Sequence, residues 1–493
     1  MDYLDPAKKR SHRIRLYIGY GLLTIAIAIA TVILVYIGNG FYVDRDTGVL
    51  IQNGQLFINS DPDGAKIYLN GREQRTKTGG RFVVPSGTYT VTIKREGYRD
   101  WTAKDVVLDG GVVERLDYAR LIPSTLTPAP QQTFATSPYA VTESINRRYL
   151  ALFFAATPDS FSVMDLTKPE AVPKVITLPK ALYIDPAKIG QLTPTEWAGD
   201  DKHFLVKNVF NGELQEYFIV SRETPDDAVN LTRDLRLAGF DFSLRDRAFD
   251  QYYAFNAATK VLDGIDLGEK SLKPVLTDVV DYKAYGDDSL LYVTSTGASE
   301  GKMQVRFYTG GKSYLMREVA VSPTYLLSIG RLGSTPVMAI GVPAENKVTI
   351  LRDPLTYLRA NTKQTIPLAT TVLQLANPSE VSFSTDQTTV MARSGQNFAT
   401  HNFDSDRTAK FTLQQPISAA IKVQWIDGKH ISAVSGGEAY MFDFNGENVQ
   451  KLVPSIEGLG SYFDNSYRSL FTFTAGANGK PFNVNRSSLT VKN

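Results

Sequence analysis

Two stretches of the chain read alike, and their likeness sets a period. The first runs Trp197-Ala-Gly-Asp200-Asp201-Lys-His203-Phe-Leu-Val206, then Glu216-Tyr217-Phe-Ile-Val220, then Asn230-Leu231-Thr232. The second runs Trp425-Ile-Asp427-Gly428-Lys-His430-Ile-Ser-Ala-Val434, then Glu438-Ala-Tyr440-Met-Phe442-Asp443-Phe-Asn445-Gly446, then Val449-Gln-Lys-Leu452. Each has an aromatic strand, an Asp/Gly turn, an apolar strand, a second apolar strand and a short fourth one. Weaker copies centre near Ile145, Phe242, Tyr285, Ile329, Phe383 and Phe463. The spacing is roughly 40–55 residues, the period of a propeller blade of four antiparallel strands. Eight blades are expected over residues 135–493, with seven as the alternative because the copy near Ile329 is irregular. A pair of β-sandwiches, the competing architecture, would show no such period.

Composition agrees with a mainly β chain. Its 493 residues include 25 Tyr, 25 Phe, 37 Gly and 24 Pro, which suits many short strands joined by tight turns. There is no cysteine, which excludes disulfides, Cys-ligated zinc, iron–sulfur clusters and thiol nucleophiles. Such a chain is stable through core burial alone, and it is long enough for that.

The N-terminus fixes where the chain lives. Leu16 to Gly38 reads LYIGYGLLTIAIAIATVILVYIG, 23 residues without a charge, preceded by Lys8, Lys9, Arg10, Arg13 and Arg15. About 20 apolar residues let an α-helix cross a bilayer, and a charge at mid-bilayer is costly. Residues 16–38 are therefore expected to be a transmembrane helix in contact with lipid. The positive-inside rule makes residues 1–15 a cytoplasmic tail and sends the bulk of the chain out. The alternatives are a cleaved signal peptide and a buried core helix. A signal h-region is ~7–15 residues, and the apolar run continues through Val32 to Ile37, past the small-residue site at Ala28 and Ala30. Length and the basic flank disfavour a core helix. Five of the 53 Lys/Arg and two of the 51 Asp/Glu stand before Leu16, which leaves 48 against 49 beyond it. That balance gives no electrostatic case for nucleic acid.

Beyond a junction at 39–54 comes a compact β-rich unit, residues 55–123. Gln55 to Ser60 alternates like a half-buried strand, Asp61-Pro62-Asp63-Gly64 is a turn, and Asn70-Gly71 is a hairpin signal. Further strands are expected at Thr88 to Ile93, Ala103 to Leu108 and Val112 to Leu121. Residues 124–134, with Pro123, Pro128 and Pro130 in and beside them, read as a semi-extended linker.

Three blocks of the small unit resemble the PEGA domain: Ser60-Asp-Pro-Asp-Gly64-Ala65-Lys-Ile-Tyr68-Leu-Asn-Gly71, then Val84-Pro85-Ser-Gly87-Thr-Tyr89-Thr-Val, then Glu96-Gly97-Tyr98. Pro85-Ser86-Gly87 stands where Pro-Gly is usual, and Thr76-Lys77-Thr78-Gly79 where Thr-Pro is frequent; both are turns. The resemblance implies a small β-sandwich-like module, common in surface proteins of bacteria and archaea and without catalytic residues. The repeats of the large region are similar, at the level of fold only, to extracytoplasmic TolB-like or WD40-like propellers, although no repeat carries a full WD signature.

The search for chemistry ends in structural readings. The four histidines, His12, His203, His401 and His430, show no ligand spacing, and His203 and His430 hold equivalent places in the two best repeats. Asp61-x-Asp63-Gly64 and Asp404-Ser405-Asp406 do not complete a calcium loop. Gly310-Gly311-Lys312-Ser313 ends like a phosphate loop, but position 306 is Arg306 rather than the required glycine. No G-x-S-x-G occurs. Asp200-Asp201, Asp226-Asp227 and Asp287-Asp288 sit in turn-like contexts, and the Tyr/Phe content that could form a carbohydrate platform falls mostly in strand patterns. No catalytic, cofactor-binding or metal-binding residue is expected, and no cofactor.

The expectation is a membrane-anchored cell-envelope protein that presents a non-catalytic binding or scaffolding propeller outside the membrane. Its partner would be an envelope protein or polysaccharide. The alternative is an extracytoplasmic propeller enzyme acting on envelope polysaccharide or peptide, marked by titratable groups converging in a pocket at one mouth.

Overall fold

The computed structural model describes residues 6–43, 48–210, 212, 214–269, 271–286, 288–361, 363, 365–417, 421–475 and 481–491. It divides into two compact units, Met1–Thr125 and Leu126–Asn493.

The first unit begins with α1 (Pro6–Gly38), whose stretch Arg10–Gly38 is long and apolar enough to cross a membrane. Every side chain from Arg10 to Gly38 is exposed, so no protein core accounts for this apolar surface. The hydroxyls of Thr24 and Thr31 donate to the carbonyls of Tyr20 and Ile27, each at 2.8 Å. Those bonds satisfy the two polar side chains without water. The helix ends where Gly40 takes φ +80°, a left-handed conformation that suits glycine.

Eight strands follow: β1 (Phe41–Val43), β2 (Leu50–Asp61), β3 (Lys66–Leu69), β4 (Arg72–Lys77), β5 (Gly80–Pro85), β6 (Gly87–Lys94), β7 (Trp101–Leu108) and β8 (Val113–Arg120). β2 pairs with β1 and β5 antiparallel and with β8 parallel; the second sheet has the order β4-β3-β6-β7. Leu56, Ile58, Ile67, Val91, Ile93, Trp101 and Leu116 close one core between the two sheets, as a sandwich requires. The expected strands are present, but β4 and β5 escaped the sequence pattern. Arg72-Glu-Gln-Arg-Thr-Lys has no apolar alternation because β4 is an edge strand with most side chains in solvent. The expected junction 39–54 is also partly sheet, since β1 pairs with residues 50–52 of β2.

The second unit corrects the expected linker. Its first strand, β9 (Ala129–Phe134), lies inside 124–134 and pairs antiparallel with Phe482–Ser488 at the other end of the chain. Among the described residues, eight four-stranded sheets make up this unit. Seven are consecutive, spanning residues 140–177, 191–230, 241–276, 279–320, 326–374, 380–412 and 424–454. The eighth joins strands 462–463, 469–475 and 482–488 to β9 as its outer strand.

Hydrophobic clusters lie between sheets rather than at one centre. In the strand Tyr149–Phe153, Tyr149, Ala151 and Phe153 pack towards the second sheet, while Leu150 and Leu152 pack towards the eighth. Successive side chains of a strand point to opposite faces, so period 2 feeds two neighbours at once. The same layering joins second to third, third to fourth, fourth to fifth, fifth to sixth and sixth to seventh sheets. Seventh and eighth meet through Ile456 N donating to Phe473 O at 2.8 Å. The eight sheets thus close a ring, the architecture of a β-propeller. The irregular copy near Ile329 has a local cause: a helix, Pro354–Ala360, is inserted before the last strand of the fifth sheet.

Candidate functional site

The equivalent histidines behave alike. His203 and His430 each open the second strand of a sheet, and each receives an Asp three residues earlier on its ring. Asp200 accepts the backbone N–H of Lys202 and His203 and contacts His203 Nδ1 at 2.6 Å. Asp427 does the same for Lys429, His430 and His430 Nδ1, at 2.8 Å each. His203 stays partly exposed and stacks on Phe249. His430 is buried, with Nε2 facing Asp443 Oδ1 at 3.5 Å. These Asp/His turns lock the tight connection between first and second strands.

The other expected residues remain scattered. His401 is buried edge-on against Phe403, and burial lowers its pKa. His12 stands exposed on α1. Asp61 approaches Arg120, and Asp404 accepts from Lys429 Nζ at 3.1 Å. Gly310 and Gly311 form the turn of a hairpin, and Ser313 accepts from Arg306 Nε at 2.8 Å, so the segment is strand–turn–strand and not a phosphate loop. Asp226 and Asp227 lie in a short 3-10 turn, Asp288 accepts from Gly310 N at 3.2 Å, and Asp287 lies outside the described residues. Among the described residues, no three His, Asp or Glu side chains are grouped so as to hold a metal ion.

Buried carboxylates occur in the ring, and most are satisfied. Glu216 is buried, accepting from Asn208, Asn230 and the N–H of Ile184. Glu380 holds the buried guanidinium of Arg393 at 2.8 Å. Burial raises Glu196 and Asp281, each relieved by a backbone N–H, from Leu244 and Tyr282 respectively.

Another buried carboxyl, that of Glu143, faces a cavity. Glu143 ends β10 (Ala140–Glu143), the first strand of the first sheet, and lines a cavity of about 330 Å³ with Arg147, Gln424, Trp425, Ser461 and Tyr462. Three sheets contribute: the first, seventh and eighth. Arg147 Nε lies 3.7 Å from Glu143 Oε2. Its other donors go to the carbonyls of Ile426 and, at 3.0 Å, Trp425, and its guanidinium sits 5.2 Å over the Tyr467 ring. Glu143 Oε1 and Ser461 Oγ are buried without a hydrogen-bond partner among the described residues. Burial pushes the Glu143 carboxyl up to about 8; Arg147 works against this and Asp464 with it. Trp425 Nε1 donates to Ser382 Oγ at 3.0 Å and Tyr462 Oη to the Val141 carbonyl at 3.1 Å, so both rings are held by their polar ends.

Sequence reasoning missed this site. Glu143 and Arg147 are four apart at a strand end, Gln424-Trp425 begins the seventh sheet, and Ser461 stands just before Tyr462, which begins the strand 462–463 of the eighth. Nothing local relates them; closure of the ring brings them together.

The chain is thus a β-propeller-like protein with an N-terminal apolar helix and a small sandwich module. Residues 53–117 match the model of the PEGA domain. Among curated proteins, none matches the chain. Solved structures similar to it include Hsv2 of Kluyveromyces lactis, 11% identical over 72% of this chain and 100% of that one, at a TM-score of 0.39. The Swd1 β-propeller domain of Myceliophteria thermophila is 11% identical over 73% and 99%, at 0.34. A eukaryotic initiation factor is 11% identical over 72% and 87%, at 0.41. The propeller architecture here stands on the sheet order and the closing strand, not on these likenesses.

Proposed function

We propose that this chain is a cell-envelope protein anchored by α1, with its N-terminus in the cytoplasm, that presents an eight-bladed, non-catalytic binding propeller outside the membrane. The carrying observation is the uncharged run of α1, whose side chains all face away from any protein core. A helix so apolar and so exposed needs lipid around it. The PEGA module supports the outward reading, since such modules are common in surface proteins. Propellers bind through loops and channel mouths, and the partner is an envelope protein or polysaccharide.

The enzyme reading has one observation in its favour, the raised carboxyl of Glu143 in a cavity beside Arg147. Glycoside hydrolysis needs a second carboxylate across the substrate, and among the described residues lining this cavity Glu143 is the one carboxylate. Binding without turnover is the better fit.

Cross-linking on intact cells, followed by identification of the captured species, tests the proposal. Envelope components should be captured reproducibly. A soluble form, residues 39–493, that captures nothing and degrades envelope glycans would contradict it.

A further inference from the structure

We infer that the hairpin formed by β1 and the start of β2 is a second membrane contact, seated in the lipid headgroup layer beside the end of α1. This inference rests on the anchoring reading above and extends it from the helix to the small module.

The residue pattern of this hairpin does not suit water on either side. Phe41, Tyr42 and Val43 pair with Gln52, Ile51 and Leu50. Period 2 puts Phe41, Val43 and Leu50 on one face, and Tyr42 and Ile51 on the other. An antiparallel pair with one face in solvent alternates apolar and polar. Here both faces are apolar except for Gln52, whose amide donates to the Asn39 carbonyl. The charges of the stretch, Asp44, Arg45 and Asp46, fall in the sequence between the two strands.

These apolar side chains are open. Val43, Val49 and Leu50 are 58%, 57% and 47% exposed, and Phe41, Tyr42 and Ile51 are half-buried. The hairpin runs past the sandwich, since β5 pairs with β2 only from Asn53 onward and the buried core begins at Leu56. Packing inside the module therefore does not account for it.

Position names the occupant. Two residues, Asn39 and Gly40, separate α1 from β1. Gln52 Nε2 donates to Asn39 O at 3.1 Å and Asn53 N to Gly40 O at 2.8 Å, so the hairpin is bonded to the helix end. The Phe41 ring lies edge-on to Tyr36 in the last turn of α1, at 5.4 Å between centroids. The apolar surface of the helix thus continues from Tyr36 through Phe41 to Val43 and Leu50, on one face. The uncharged run is about 34 Å long as a helix, slightly more than a hydrocarbon core of about 30 Å. Its end reaches the headgroup layer, which is about 5–8 Å deep on each side, and the three residues of β1 span about 10 Å. Tyr36 and Tyr42 bring the amphipathic rings that favour this layer.

The test attaches a fluorophore to single introduced cysteines in the full-length protein, reconstituted in phosphatidylcholine vesicles that carry nitroxide lipids. Val43→Cys and Leu50→Cys replace exposed side chains, Ile27→Cys marks the middle of α1, and Asp63→Cys marks the exposed turn after the far end of β2. Headgroup nitroxide should quench the two hairpin sites about threefold more than Asp63→Cys, and more than mid-chain nitroxide does. Mid-chain nitroxide should quench Ile27→Cys, which reports the anchor alone. Quenching at Ile27→Cys with hairpin sites no more quenched than Asp63→Cys overturns the inference and leaves the anchoring proposal standing. Cross-linking of Leu50→Cys between two copies, without quenching there, assigns the hairpin to a second copy of the chain and also overturns it. No quenching at Ile27→Cys would contradict the anchoring proposal itself, and this inference with it.

Discussion

At the scale of single residues, Glu143 and the Asp/His turns make opposite contributions. The Glu143 carboxyl stands at about 8 in the folded protein, against 4.5 as its ordinary value. Below about pH 4.5 it is protonated folded or unfolded and costs nothing. As pH rises from there the unfolded state ionises first, so stability falls, and above about pH 8 the loss is complete. Every tenfold change in proton affinity corresponds to ~1.4 kcal/mol, and the partial exposure of Glu143 brings the whole to on the order of 2 kcal/mol. Glu143→Gln should therefore be more stable than the wild type at pH 9 and equal to it at pH 4, read by thermal melts at both values. Asp427 holds two backbone N–H groups and a buried imidazole, whereas Asp200 serves a partly exposed one. Asp427→Ala should cost about 2–3 kcal/mol and Asp200→Ala about 1 kcal/mol. Equal losses in urea titration would show that burial of the histidine does not matter. The equivalence of His203 and His430 was legible in the sequence because one turn holds both. The Glu143 cavity was not, because its members lie in three sheets.

At the scale of elements, strands were legible where buried residues recur along them, and lost in the edge strand β4 and in β5, where Phe82 is the one buried side chain. The second strands of the first, second and fourth sheets carry runs of consecutive buried apolar residues, at 150–153, 204–206 and 290–293, since both faces meet a neighbouring sheet, and such runs produced the period. The edge strand β4 carried no such signal. β9 was hidden for another reason. Its Pro128-Ala-Pro130 composition reads as a spacer, and Pro is tolerated on an outer strand. Only its partner, Phe482–Ser488, gives it meaning. Phe134 stacks near Phe154 at 5.0 Å, and Gln132 Nε2 donates to the Pro169 and Ala171 carbonyls, so β9 also clips the eighth sheet to the first. A protease site inserted after Thr125 should, once cut, leave the second unit's melting temperature within about 2 °C. The same site inserted after Phe134 frees the outer strand and should lower it by about 5 °C or more, read by differential scanning fluorimetry. Equal effects would mean that β9 does not close the ring.

At the scale of the whole molecule, the order of parts carries the argument: an apolar helix, a PEGA module, then a ring of eight sheets. The lack of cysteine makes each introduced thiol a unique probe. Ala7→Cys marks the basic side of α1, and Val172→Cys marks the ring at a side chain that is 91% exposed. Treating intact cells with a membrane-impermeant maleimide tests the anchored, outward account most directly. The account predicts that Val172→Cys is labelled on intact cells and Ala7→Cys only after the membrane is permeabilised. Labelling of Ala7→Cys alone, or of neither until permeabilisation, would contradict it.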